Sequence, residues 1–385
     1  MKYTLRSYQQ EASDAAVKAF QEKKNGLIVL PTGAGKSLCV ADIASRVNSP
    51  LLVFQPSREI LQQNFDKMLS YGEKDCGIYS ASFNSKDIKK ITFATIGSVI
   101  RHKEHFSHFK YVLVDEAHTT NAKGGMYKEF FESAQRTVIG LSATPFRLNS
   151  YMGGSMLKFL TRTRPRIFDS VLYYCQISDL LAKGYLADVN YYDLTAINID
   201  NVLSNSTGAE YDDKSLLAEY ERSDFYTKLI NTVMRVRKPK SGVKRNGILV
   251  FTRFVKEAQM LAGQIPNSAV VTGETPKNER ERILEDFKAG KIEVCCNASV
   301  LTTGFDFPAL DTVVMARPTK SLSLYYQIVG REIRPFNGKQ AWFVDLCGNY
   351  KRFGKVSDLK IDVEKPHSQL WCVKSNGKIL TNRMF

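Results

Sequence analysis

Short apolar runs, each closed by a turn or a polar cluster, recur through the first third of the chain: Gly26–Leu30, Leu51–Gln55, Lys90–Ala94, Tyr111–Val114 and Thr137–Leu141. They have strand length, and helix-period stretches such as Gly35–Val47 and Ser57–Leu69 follow most of them. Alternation of this kind predicts an α/β fold, a parallel sheet with helices on both faces. Ligands of such sheets gather at the carboxyl ends of the strands.

The pattern weakens after Arg147. Asn149–Gly154 is turn-rich, and Thr161–Arg166 is basic and interrupted by Pro165. A second pattern opens near Ile177, with Val189–Leu194 as an early strand, a weakly hydrophobic stretch at Asn201–Asp213 and a helical run over Leu216–Arg237. Strands then recur at Gly247–Thr252, Ser268–Val271, Glu293–Asn297, Thr312–Ala316 and Ala341–Leu346, with helices over Glu257–Gln264, Asn278–Ala289 and Leu322–Gly330. Two sheets of similar size predict two lobes with a cleft between them: residues 1–165, and 166–350 with a linker or insertion at about 195–245. A short C-terminal extension, 351–385, remains; there Asn376-Gly377, between Trp371–Val373 and Ile379–Thr381, is a hairpin signal.

Composition narrows the class. With 43% hydrophobic and 24% charged residues the chain reads as a soluble globular protein. Its net charge of +15 favours a polyanionic partner, because neutralised phosphates release counterions. Cysteines at 39, 76, 175, 295, 296, 347 and 372 form no C-x-x-C pair. No zinc is therefore expected, and the thiols read as those of a reduced, cytoplasmic protein. The N-terminus has no apolar leader, and no run approaches membrane-spanning length. Arg235, Arg237, Lys238, Lys240, Lys244 and Arg245 read as an exposed basic loop, either a solvated linker or an added contact to DNA.

Four segments carry chemistry. Pro31-Thr32-Gly33-Ala34-Gly35-Lys36-Ser37 joins a strand to a helix, and the N–H groups of such a loop cradle phosphate oxygens. Lys36 would reach the β- and γ-phosphates and Ser37 would hold Mg²⁺. The full phosphate-loop pattern asks for Gly at position 30, where this chain has Leu30. Asp115-Glu116-Ala117-His118 closes the strand Val112–Val114; Asp115 would hold the metal through water and Glu116 would polarise the attacking water. Alone, that pair reads first as a solvated acidic turn; beside Lys36 it does not. Ser142-Ala143-Thr144-Pro145 ends another strand and offers hydroxyls to the Asp-Glu loop, though it also fits an ordinary turn. In the second lobe, Arg331 and Arg334 of Gln327–Arg334 lie three apart, a spacing that suits guanidinium groups aimed at a phosphoryl transition state or, equally, a basic helix end. Glu332 between them reads as a solvated helix-end carboxylate.

In this order the segments resemble superfamily 2 helicases of the DEAH-box type. The resemblance implies two tandem RecA-like P-loop domains, a shortened loop that needs no Gly at position 30, and ATP with Mg²⁺ as the cofactors. It assigns Arg6 and Gln9, in Leu5–Gln9, to the adenine, and Gln327, Arg331 and Arg334 to hydrolysis. It couples Gly304 and Asp306 to the nucleotide, and gives His118, Ser142 and Thr144 the task of relaying the nucleotide state. Arg58, Thr95, Arg253, Thr302 and Thr303 stand at its nucleic-acid positions.

Tyr3–Ala12, Val29–Leu38 and Val300–Asp306 are further similar to the bacterial RadD DNA-repair helicases, from which the chain departs at Glu332 and in lacking a cysteine-rich C-terminal region. The expected activity is ATP-dependent unwinding or remodelling of single-stranded or branched DNA. A single-strand-binding or recombination protein is the protein partner the resemblance suggests. An RNA helicase, or the motor subunit of a restriction, defence or phage assembly, is the alternative reading.

Overall fold

The computed structural model describes residues 3–151, 154–239, 242–298, 300–302, 305–336 and 338–382. By compactness the chain divides into two units. The first holds the chain up to Arg147, then Leu157–Gln176 and the segment from Lys360; the second holds Leu148–Met156 and Ile177–Leu359.

All five apolar runs of the first third become strands of one eight-stranded sheet. In chain order the elements are α1 (Ser7–Gln21), β1 (Gly26–Val29), α2 (Lys36–Arg46), β2 (Leu51–Phe54), α3 (Arg58–Tyr71), β3 (Cys76–Ser80), β4 (Ser85–Lys86), β5 (Ile91–Ala94), α4 (Ile96–Val99), β6 (Tyr111–Val114), α5 (Met126–Glu132), β7 (Thr137–Ser142), β8 (Phe146–Tyr151), β9 (Gly154–Phe159) and β10 (Ser170–Tyr174). The sheet order is β10-β1-β7-β6-β2-β5-β3-β4, parallel except at β4. β1, β2 and β5 are buried throughout, as strands covered on both faces must be. α3 starts where Ser57 Oγ accepts the Ile60 N–H and stops at Gly72, whose φ of 101° ends the helix.

Two stretches depart from the sequence reading. Of Asn149–Gly154, read as turn-rich, Asn149–Tyr151 end β8 and Gly154 opens β9, while Met152 and Gly153 lie outside the described residues. β10 has no counterpart among the predicted strands; it is an edge strand, mostly half-buried, so its apolar signal is weak.

The second unit is built from α6 (Ile177–Ala182), β11 (Val189–Asp193), α7 (Asp213–Arg222), α8 (Phe225–Arg237), β12 (Ile248–Thr252), α9 (Val255–Gln264), β13 (Ser268–Val271), α10 (Lys277–Lys288), β14 (Val294–Ala298), β15 (Thr312–Ala316), α11 (Leu322–Val329), β16 (Ala341–Asp345) and α12 (Asn349–Phe353). Its sheet runs β11-β16-β15-β12-β14-β13, all parallel. The helical run read over Leu216–Arg237 breaks at Asp224, where φ is 49°. The stacked rings of Tyr220 and Phe225 pack across that break, 4.1 Å apart.

The basic run Arg235–Arg245 is not one exposed loop. Arg235 and Arg237 belong to α8, and Arg237 pairs with Glu293 at 2.5 Å. Arg245 is buried over the Trp342 ring and donates to Thr312 Oγ1 at 2.8 Å. Its partners lie far along the chain, out of reach of a local reading. Lys240 falls outside the described residues.

The last elements are β17 (Leu359–Val363), β18 (Trp371–Ser375) and β19 (Lys378–Ile379), a three-stranded sheet. Asn376 and Gly377, with φ of 47° and 76°, make the tight turn that the Asn-Gly pair predicts.

Candidate active site

The phosphate-loop segment leaves β1 and enters α2 through two left-handed glycines, Gly33 and Gly35, with φ of 81° and 79°. A Cβ on Gly35 would strike the Gln9 carboxamide. Gln9 is itself locked: its Nε2 donates to Ala34 O at 2.9 Å, and its Oε1 accepts the Arg6 N–H at 2.9 Å. Tyr8, which the sequence reading passed over, donates its hydroxyl to the same Ala34 carbonyl at 2.9 Å. Gln9 thus fixes the loop's shape from behind, while the Arg6 side chain is exposed. Thr32 and Ala34 are buried, and Lys36 and Ser37 begin α2, where first-turn N–H groups have no intrahelical acceptor.

Opposite the loop, Asp115 follows β6 and is buried. Burial, then the charge of Glu116, pushes its carboxyl up to about 6. Glu116 sits in the left-handed region, φ 49°, which turns its carboxylate to within 3.6 Å of Lys36 Nζ. Its other oxygen lies 3.3 Å from His118 Nδ1. That nitrogen also faces Ser142 Oγ at 3.0 Å and Thr144 Oγ1 at 3.1 Å. Burial lowers the His118 pKa, against the opposing pull of the Glu116 carboxylate. One ammonium, two carboxylates and a left-handed loop at a helix N-terminus are the donor set that a magnesium nucleotide requires. Ser37 and Asp115 would hold the metal.

The sheet order sets these groups along one rim. The carboxyl ends of β1, β7, β6, β2, β5 and β3 present, in turn, the phosphate loop, Ser142, Asp115, Gln55, Thr95 and Ser80. Beyond Gln55 the rim opens into a groove of about 820 Å³ that includes Arg58, Lys86, Thr95 and Arg101. Arg58 lies over the Phe83 ring at 4.2 Å. Thr95 Oγ1 sits 3.0 Å from Ser98 Oγ and 3.3 Å from Ser80 Oγ, so hydroxyls and cations share the wall. Gln55 and Asn64, given no role in the sequence reading, fill the space between groove and Asp115; only the folded sheet brings them together.

In the second unit Arg331 is buried and donates to Phe305 O at 2.9 Å, while Arg334 pairs with Asp306. Gln327 is half-buried on α11, and its carbonyl accepts from Arg331 Nε. Glu332 is not the solvated carboxylate predicted. The turn after α11 carries it inward, neither carboxylate oxygen finds a sound hydrogen-bond partner among the described residues, and burial holds its carboxyl well above the usual range. Arg253 is engaged by Asp213 at 2.8 Å. Thr302 is half-buried in a turn; Thr303 and Gly304 lie outside the described residues. Among the described residues no cluster of His, Cys, Asp and Glu suits a structural metal, and no helix is long and apolar enough to cross a membrane.

Comparison with known proteins follows the same division. Residues 2–147 match the family model described as Type III restriction enzyme, res subunit, and residues 228–335 match the helicase conserved C-terminal domain. Over 383 residues the chain is 25% identical to a Saccharomyces cerevisiae protein carrying the ATP-dependent helicase name IRC3, covering 89% of this chain and 51% of that protein. It is 27% identical over 377 residues to the DNA 3′-5′ translocase XPB2 of Sulfurisphaera tokodaii, covering 90% and 82%. The chain therefore spans about half the length of the yeast relative. A solved structure of S. cerevisiae Dbp5 bound to RNA and ADP BeF3 shares the fold, with a TM-score of 0.59, 16% identity and coverage of 90% and 87%. The chain thus carries a Type III restriction-like domain followed by a helicase C-terminal domain, the domain pair of superfamily 2 helicases.

Proposed function

We propose that the protein couples ATP hydrolysis to movement along DNA, and so unwinds or remodels single-stranded or branched DNA in repair or recombination. The observation that carries this reading is the shared rim. The Lys36–Glu116–His118 cluster and the groove of Arg58 and Thr95 stand on neighbouring strand ends of one sheet.

In this reading Gln9 and Arg6 bind the base, residues Thr32–Ser37 hold the phosphates, and Ser37 and Asp115 hold Mg²⁺, which neutralises charge on the phosphate oxygens. Glu116 takes the proton of the attacking water at a carboxylate oxygen. Arg331 and Arg334 stabilise the negative charge of the transferring group, and Gln327 orients them. Asp306 and Gly304 respond to the nucleotide, and His118 passes the state of Glu116 to Ser142 and Thr144. Arg58, Thr95, Arg253, Thr302 and Thr303 hold the strand by phosphates and sugars, so little sequence preference is expected. A place beside the RadD repair helicases, a cytoplasmic setting and a single-strand-binding or recombination partner belong to the same proposal.

DNA is ranked above RNA because the archaeal relative's name is that of a DNA translocase. A second reading, the motor of a restriction or defence assembly, is favoured by the description of the first family model. ATP hydrolysis is measured over single-stranded DNA, forks, Holliday junctions and RNA, with unwinding followed in parallel. The proposal expects the DNA forms to stimulate hydrolysis most. Stimulation by RNA alone overturns it, and activity only in the presence of added restriction subunits favours the second reading.

A further inference from the structure

The strand groove and the Asp115 site share a wall. β2 lies between β6 and β5, so Gln55, just past β2, stands between Asp115 and Thr95. The backbones interlock there: the Gln55 N–H donates to Ala94 O at 2.9 Å, and the Asp115 N–H donates to Phe54 O at 3.0 Å.

One buried side chain joins the two carboxyl-end residues. Asn64, on α3, donates to Asp115 Oδ2 at 2.8 Å and to Gln55 Oε1 at 2.9 Å. Both protons of its amide are then spent. α3 is the helix that begins at Arg58 and is capped by Ser57, both on the groove wall. Asn64 Oδ1 and Gln55 Nε2, in the same network, have no partner among the described residues. Buried amides with unpaired atoms are a costly way to pack a helix on a sheet, which an apolar side chain would do at lower cost. A network kept in that state fits a task that packing alone does not need.

We propose that Asn64 is a positioning residue that ties occupancy of the strand groove to the placement of the Asp115 carboxylate, through Gln55 and the start of α3. This rests on the strand-dependent ATPase reading above. A backbone phosphate held by Arg58 and Thr95 steadies Ser57, Arg58 and Gln55. Asn64 carries that constraint across because its amide cannot follow Gln55 without turning from Asp115. Stimulation by a strand then arises partly from an aligned Asp115 rather than from new contacts to the nucleotide.

The test measures hydrolysis at saturating ATP with and without a single-stranded DNA oligonucleotide, the KM for ATP, and binding of the same strand by fluorescence anisotropy. Asn64→Leu removes both donors; Asn64→Asp keeps the shape but presents an acceptor to Asp115. Each is expected to lower the stimulation factor about tenfold or more, with strand affinity and KM kept within about threefold. A stimulation factor at the wild-type level in either folded variant overturns the proposal, as does a fall that only tracks lost strand affinity. Failure of every strand to stimulate the wild-type protein overturns the functional reading as well. Wild-type stimulation with unaffected Asn64 variants overturns the relay alone.

Discussion

Lys36 Nζ lies 3.6 Å from Glu116 Oε1, both side chains largely shielded from solvent. Under the proposed function, the cation for phosphate and the carboxylate for water are thus paired directly with one another, an ion pair that an entering γ-phosphate would have to open. The two residues should separate cleanly on mutation. Glu116→Gln is expected to retain nucleotide binding and to lower hydrolysis by about 10²–10⁴-fold. Titration with a fluorescent ATP analogue, alongside phosphate release, checks both halves; lost binding in this variant would place Glu116 in nucleotide capture instead.

The proposed function gives Arg334 the task of stabilising the transition state. Arg334→Ala is expected to reduce turnover by about 10³–10⁵-fold with nucleotide binding nearly intact. Because Arg334 also pairs with Asp306, thermal melting of the variant separates a catalytic loss from a structural one. Unchanged hydrolysis would remove Arg334 from the site.

Arg58 faces the groove with its guanidinium over Phe83. Arg58→Ala is expected to weaken strand binding evenly across sequences and to reduce the slope of log affinity against log salt by about 0.7–1. An unchanged slope, measured by anisotropy over a salt series, would mean that Arg58 meets no phosphate.

Glu332 makes stability depend on pH. Its carboxyl in the fold is held well above the usual range by burial, so the fold favours the protonated form. Stability from this residue is full below the ordinary carboxylate pKa and is lost as pH rises toward the elevated folded value. Glu332→Gln removes that loss. Its melting temperature is expected to exceed the wild-type value by roughly 2–4 °C for each kcal/mol recovered, more at pH 8 than at pH 5. A difference that does not grow with pH would contradict the burial of a titrating Glu332.

What the sequence made legible is what lies close along the chain. Pro31–Ser37 needs only a strand, two left-handed glycines and a helix start, all within one short segment, and the structure forms each of them. Asp115–His118 and Ser142–Thr144 were readable as strand ends because β6 and β7 are buried apolar runs. Residues whose meaning depends on distant partners were not readable. Asn64 gains its meaning from its bond to Asp115, 51 positions away, and Arg245 from Asp311 and Thr312, more than 60 positions on. Glu332 looked solvated because charged helix ends usually are; the turn after α11 decides otherwise. β10 escaped because an edge strand needs no continuous apolar run.

Under the proposed function this rim converts strand binding into ATP hydrolysis. The most direct measurement is the steady-state rate of phosphate release by the wild-type protein and by Lys36→Ala, each with and without single-stranded DNA. Strong stimulation of the wild-type protein by the strand is expected, with near-background rates for Lys36→Ala in both conditions. A wild-type rate indifferent to the strand, or a Lys36→Ala variant that still responds to it, would contradict the account.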